Sequence, residues 1–304
     1  MSKISFIKSD NRKYNVSRCL SLLKSEIVLG IKNAKRIVVK PNCVVTDFQL
    51  AATHVDAIDA VMEFIAPYAS SQIVLAEGTG IGNTMDAFKN YNYFSIQEKY
   101  GFTIVDLNQD DFVTHELYDK KGKRWKAQVA KTIAEADYVI SLAPPKTHDS
   151  VVYTGAIKNV AVGSLLKPEI NLAAKISGHF GINKNNKIML HQGYKYQNIN
   201  IAELAQKLPI HLAVIDGYSA MQGNGPGHDG EMVPAHWAAA SSDALALDLF
   251  ALKLMSINEE DVGYLNILKD EVKPDEPFVI GDDWRSAVLR FKLHNDYEKM
   301  KNWR

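Results

Sequence analysis

The chain has 304 residues, 46% hydrophobic and 23% charged, the balance of a soluble globular protein long enough for a sizeable core. Its 35 Lys and Arg equal its 35 Asp and Glu, so no net field draws it onto nucleic acid or anionic lipid, and charged ligands must be met by local clusters. Two cysteines, Cys19 and Cys43, exclude a disulfide framework and any four-cysteine zinc or iron–sulfur site within this chain.

The opening MSKISFIKSDNRKYNV lacks the apolar core and cleavage site of a secretory signal. No run is long enough to cross a bilayer, so the expected location is cytoplasmic, with no membrane partner. Cys19 sits in the helical RCLSLLKS and reads as core. RIVVKPN is the first clear strand; Cys43 follows it and reads mainly as a small buried hydrophobe, with a reactive thiol the minor alternative. A helix around HVDAIDAVMEFIAPY leads to the strand QIVLAEG, the Gly-rich turn GTGIGNT and the helix TMDAFKNYN. FTIVDL is a third strand. AQVAKTIAEADYVISLAPPK gives a short helix and a fourth strand. IHLAVIDGYS, after the helix NIAELAQKL, is the fifth. SSDALALDLFALKLMSI is a long helix that Ser241 or Ser242 caps, with Asp243 in its first turn.

Continuous apolar strands between helices predict an α/β fold: a mostly parallel sheet with helices on both faces, in one domain spanning residues 1–304. The segment 151–196 breaks the pattern. It is rich in Asn, Gly and Lys, and is expected to form an irregular lid or inserted subdomain.

Chemistry collects at the strand ends. Lys40 ends one strand, with Asn42 beyond; Glu77 ends the next; Lys146 and His148 follow YVISLAPP; Asp216 ends HLAVID. Ligands of open parallel sheets bind outside the carboxyl ends of the strands, so these residues are expected to share one crevice. GTGIGNT offers Gly78 and Gly80 as an anion-cradling turn. Its glycines depart from the dinucleotide spacing, and a tight structural turn is the stronger reading. GNGPGHDG, with Asn224 and Gly225, reads as a site loop, against the alternative of a surface hairpin. His148, His179, His191, His228 and His236 match no zinc spacing. His148, His191 and His228 are the metal candidates if several converge, and His148 is the leading acid–base group. Thr154-Gly155 is expected to open a short helix whose N-terminus faces the pocket. Lys40, Lys146 and Lys158, without near acids, suggest a carboxylate or phosphate ligand.

In order, VVKPNCV, ADYVISLAPPKTH…TGAIKN, His191 before a helix, IDGYSAMQGNGPGHDG and SSDALALDLFALKLM resemble the pattern of the domain of unknown function 362 family, from about Arg36 to Met255. Lys40, Asn42, Lys146, His148, Lys158, Asn159, Asp216, Asn224 and Asp243 stand at patterned positions. The resemblance implies redox work, because members often carry a ferredoxin-like module with cysteine-bound clusters. This chain resembles a stand-alone form, so its electrons would come from a separate ferredoxin-like donor. The family also resembles distantly the catalytic part of lactate-racemase-like proteins, which use a nickel-pincer nucleotide; no residue motif here carries that cofactor over. A divalent metal and an organic cofactor both stay open.

The leading expectation is an enzyme acting on a small anionic molecule by proton or hydride transfer. Lys40, Lys146 and Lys158 bind the anion, and His148 moves protons with Asp216 or Glu77 orienting it. The alternatives are a non-catalytic anion- or metal-binding protein and an accessory to an iron–sulfur oxidoreductase.

Overall fold

The computed structural model describes residues 1–167, 185–191 and 193–304. Twelve strands occur among them: β1 (Lys3–Lys8), β2 (Arg36–Lys40), β3 (Gln72–Glu77), β4 (Thr103–Asp106), β5 (Phe112–Tyr118), β6 (Arg124–Ala130), β7 (Tyr138–Ala143), β8 (Lys146–His148), β9 (Val152–Thr154), β10 (Leu212–Gly223), β11 (Gly230–Ser241) and β12 (Phe278–Gly281). The main sheet runs β12-β1-β11-β10-β7-β2-β3-β4, with β8 and β9 attached beside β10. From β10 through β7, β2 and β3 to β4 every pairing is parallel; β11 runs antiparallel to both β10 and β1. The expected mostly parallel sheet is therefore present, widened by three strands at one side.

The parallel strands are apolar along their whole length because both faces are covered. In β2, Ile37 and Val39 pack with Val16 and Ile58 of the helices Arg12–Leu22 and Val55–Ile65. Val38, of opposite parity, packs with Val160 and Phe250 of the helices Ala156–Gly163 and Ala244–Met255. Strands buried on two sides lose the alternation of a half-exposed sheet and read as continuous Val/Ile/Leu runs.

Several local expectations change. Asp243, not Ser241 or Ser242, caps the helix Ala244–Met255, its side chain accepting from the Ala246 amide at 2.9 Å. AQVA belongs to β6, which forms a separate antiparallel hairpin with β5, so the short helix is only Lys131–Ala134. The segment from Val151 begins as core: β9 and the helix Ala156–Gly163 are buried, and the chain re-enters the description as the helices Asn186–Leu190 and Tyr194–Lys207. Residues 168–184, with His179 among them, and residue 192 lie outside the described residues.

The helix Ala156–Gly163 carries Lys158 and Asn159, and its start is fixed from an unexpected side. Asp248, fully buried, accepts from the amides of Ala156 (2.8 Å) and Ile157 (2.9 Å) and from the Tyr153 hydroxyl (3.0 Å). The amide donors expected to face the pocket are thus spent on Asp248. Burial pushes this carboxyl up to about 6, against the pull of its three donors. Asp248→Ala leaves those donors without a partner and should lower stability by about 2 kcal/mol or more. The urea midpoint checks this, and an unchanged midpoint rules out the capping role.

Candidate functional site

A cavity of about 500 Å³ opens at the carboxyl ends of β2 and β3, beside the β8–β9 hairpin. Three layers of polar groups surround it.

The deepest is an ion pair. Lys40 Nζ lies 2.7 Å from Glu77 Oε2, the two side chains 0% and 2% exposed. Lys40 also donates to Asn159 Oδ1 at 3.2 Å, while Asn159 Nδ2 donates to the Lys40 carbonyl and to Ser141 Oγ, each at 3.1 Å. Strand ends and helix are thereby tied together. Gly163, one turn along the helix, faces the same ammonium: a Cβ there would stand 2.3 Å from Lys40 Nζ.

Lys146 forms the second layer. Its amine donates to Asn42 Oδ1 and to the Ala51 carbonyl, and Asn42 in turn donates to Asn159 at 3.3 Å. Lys40 and Lys146 were both expected to hold the anion, but neither reaches the cavity lining.

The cavity wall itself holds Glu77, His148, Asp149, Lys158, Lys187 and His191 among its polar groups. His148 is placed by β8, whose hairpin with β9 pairs it with Val152. Val152 adopts φ +68°, a costly conformation for a β-branched residue and one that persists only where surroundings impose it. His148 Nδ1 lies 2.9 Å from the Asp149 carboxylate, and Nε2 lies 2.7 Å from Lys158 Nζ. The Ser150 amide also points at Nδ1 from 3.2 Å and its hydroxyl lies 3.1 Å away, so Nδ1 meets a donor as well as the carboxylate. The shorter Asp149 contact favours the tautomer with the proton on Nδ1, which leaves Nε2 to accept from Lys158. The His191 ring lies nearly parallel to His148 at 6.0 Å, its Nδ1 against the Lys187 carbonyl at 2.6 Å. Lys187 donates to the Gly78 carbonyl and, at 3.3 Å, to Asn108 Oδ1.

Burial without matching carboxylates shapes the electrostatics. Desolvation, aided by the Lys158 charge, lowers Lys146 to about 7; desolvation lowers Lys158 to about 8 and Lys187 to about 7. Desolvation followed by Lys158 holds His148 near 3 and His191 near 4, so both rings are neutral at pH 7. Partial burial favours the neutral acid at Asp149, but the His148 bond and the Lys158 charge outweigh it and keep Asp149 ionised. Cys43 lines the cavity as a thiol, raised by burial and by Glu77, which makes it a poor nucleophile.

Asp216, expected to share this crevice, does not reach it. It shares the parity of Leu212 and Val214, on the face covered by the helix Arg12–Leu22, and pairs with Arg12 at 3.1 Å. Lys40 shares the parity of Val38 and faces the other side. Asp216 is also not a strand end, because β10 runs on to Gly223 past an irregularity at Gly217–Ser219. GNGPGHDG forms the β10–β11 hairpin tip. Asn224 accepts from the Asn295 amide, Gly225 packs on Thr147, and only Pro226 reaches the cavity. His228 is exposed, bound to Asp47 at 2.9 Å and stacked on Phe48, away from the cavity lining. Among the described residues no group of three or more His, Cys, Asp or Glu is arranged to hold a metal ion. Gly78 and Gly80 do line the cavity, but three of the turn's amides are engaged: Gly78 by Glu77, Thr79 by Thr84, Ile81 by the Val44 carbonyl. Asp149 and Lys187 went unnoticed in the sequence. The first immediately follows His148, and the second lies in the aperiodic INKNNKIML.

Lys146, Lys158 and Lys187 hold fewer protons in the fold than in the unfolded chain, where each amine titrates near 10.5. Unfolding therefore takes up protons above about pH 7, and stability rises with pH until the cysteines oppose it past pH 9. His148 and His191 act in the same sense between about pH 4 and their ordinary 6.5, opposed in part by the raised carboxyls of Asp248 and Asp216. Calorimetric midpoints should climb from pH 4 to 6.5 and again from 7 to 9. Lys146→Met and Lys158→Met should flatten the upper rise; an equal slope in all three proteins would contradict the assignment.

Comparison with known proteins adds the following. Over 233 residues the chain is 22% identical to the thylakoid-associated protein sll1697 of Synechocystis, covering 75% of this chain and 65% of that protein's length. The lactate racemase apoprotein from Thermoanaerobacterium thermosaccharolyticum matches with a TM-score of 0.45 and 16% identity, over 71% of this chain and 50% of that one. The model of the domain of unknown function DUF362 matches residues 37–253, well over half of the chain, and the chain belongs to that family.

Proposed function

We propose that the chain is an enzyme acting on a small anionic molecule, with the strand-end cavity as its site and proton transfer as its central step. The observation that carries this reading is the Asp149–His148–Lys158 chain of contacts ending in the cavity wall. His148, neutral near pH 7 and oriented through Nδ1, is a base with Nε2 aimed at a movable proton. Asp149 is its positioning residue, the role expected earlier of Asp216 or Glu77. Lys187 supplies the positive charge for the anion, in place of Lys40 and Lys146. The Lys40–Glu77 pair and Asn159 hold the wall in shape.

The cavity is within the size range of pockets that enclose small organic ligands, and it exceeds what a lone phosphate fills. Ile81 and Ile188, both largely exposed, line its mouth together with Pro226 and suit the apolar part of such a ligand. The groups that face the cavity carry protons and charge, so proton transfer is the step that the chain's own side chains support.

Titration calorimetry with inorganic phosphate and a series of mono- and dicarboxylates tests the reading. Lys187→Met should weaken whichever anion binds by about tenfold, the worth of one charge-assisted hydrogen bond. Affinity should fall as pH rises from 7 to 9, because the Lys187 ammonium is lost above about 7. Affinity that ignores both the substitution and the pH sinks the proposal.

A further inference from the structure

Lys158 differs from the other buried lysines in what its amine touches. Lys40 meets a carboxylate, Lys146 an amide oxygen and a carbonyl, and Lys187 a carbonyl and an amide oxygen. All of these acceptors stabilise an ammonium. Among the described residues, the one hydrogen-bond partner of Lys158 Nζ is an imidazole nitrogen, His148 Nε2, at 2.7 Å. No carboxylate oxygen of the described residues lies within ion-pair reach of it, although the residue is only 6% exposed and lines the cavity. An amine placed this way, on the cavity wall and backed by a base, has the arrangement of a covalent nucleophile.

We infer that Lys158 forms a Schiff base with the substrate, which is therefore a carbonyl compound bearing an anionic group, such as an oxo acid. This deepens the reading of the cavity as an anion site and rests on it: Lys187 takes the anionic end and Lys158 the carbonyl end.

The step balances without any outside reagent. The Lys158 nitrogen lone pair forms a bond to the carbonyl carbon, and the C=O π pair moves onto oxygen. The proton shed by nitrogen passes to His148 Nε2, while Asp149 holds the imidazolium through Nδ1–H. That proton is handed to the alkoxide, giving the carbinolamine. The second N–H proton then follows the same route through His148 to the hydroxyl, which leaves as water as the nitrogen lone pair closes the imine. Nothing is oxidised or reduced. The imine acidifies the neighbouring carbon, which gives His148 a proton to abstract in the next step. Desolvation, by holding Lys158 near 8, keeps a share of the free amine present at neutral pH.

Reductive trapping tests this. The full chain is incubated with glyoxylate and cyanoborohydride, and modified lysines are mapped by peptide mass spectrometry. Lys158 should be carboxymethylated far faster than the exposed lysines. His148→Gln should slow that labelling about a hundredfold. Asp149→Asn, at a half-exposed position where the fold should tolerate it, should slow it about tenfold while leaving surface labelling unchanged. Lys158 remaining unmodified, or reacting no faster than exposed lysines, overturns the inference; so does equal labelling in Asp149→Asn. Anion binding measured on the same samples separates the two claims. Persistent phosphate or carboxylate binding with unlabelled Lys158 removes the covalent step alone, whereas loss of anion binding with Lys158 still labelled removes the anion site.

Discussion

Lys40 and Glu77 meet between the ends of β2 and β3 with almost no water in reach, and much of the site is built on that contact. A buried pair of this kind gains little net stability over apolar packing, because both charges must be stripped of solvent. Removing either partner is another matter, since it strands the other charge. The pair therefore acts as a geometric clamp. Through Asn159 it sets the distance between the sheet and the helix Ala156–Gly163, and through that helix it sets the position of Lys158. Asp248 holds the start of the same helix from the other side.

The cavity wall shows the opposite design. Behind it, Lys40 is answered by the Glu77 carboxylate; on it, Lys158 and Lys187 face a neutral imidazole and carbonyl dipoles. An excess of uncompensated cationic groups in a water-poor pocket costs stability, and functional sites are where proteins tolerate such costs. The left-handed backbone at Val152, paired with His148, belongs to the same pattern.

The fold was legible where the physics is one-dimensional. Strands buried on both faces must be apolar throughout, so RIVVK, QIVLAE and YVISLA announced themselves. The β5–β6 hairpin and the outer strands β1, β11 and β12 did not. Their residues are mixed in polarity, as in EMVPAHWAAAS, and their pairing depends on distant partners. Of the residues read from the strand ends and the polar stretch beyond Pro144, Glu77, His148, Lys158 and Asn159 line one crevice. Strand-end position misled at Asp216, because residues of neighbouring strands share a rim only when their parity also agrees. Lys40 and Lys146 lay at the right ends, but which amine an internal oxygen would claim depends on contacts between residues as far apart in sequence as Lys146 and Asn42. Asp149 needed only a look one residue beyond His148, and Lys187 needed the tertiary structure.

Gly163 sits so near the Lys40 amine that a methyl group there would have to displace it, and with it the contact to Glu77. The residue acts as a spacer defined by what it lacks. A missing side chain at this point is as much a part of the site as any base or ammonium. Homologous chains sharing this chemistry should keep that vacancy even where their surface residues have diverged beyond recognition.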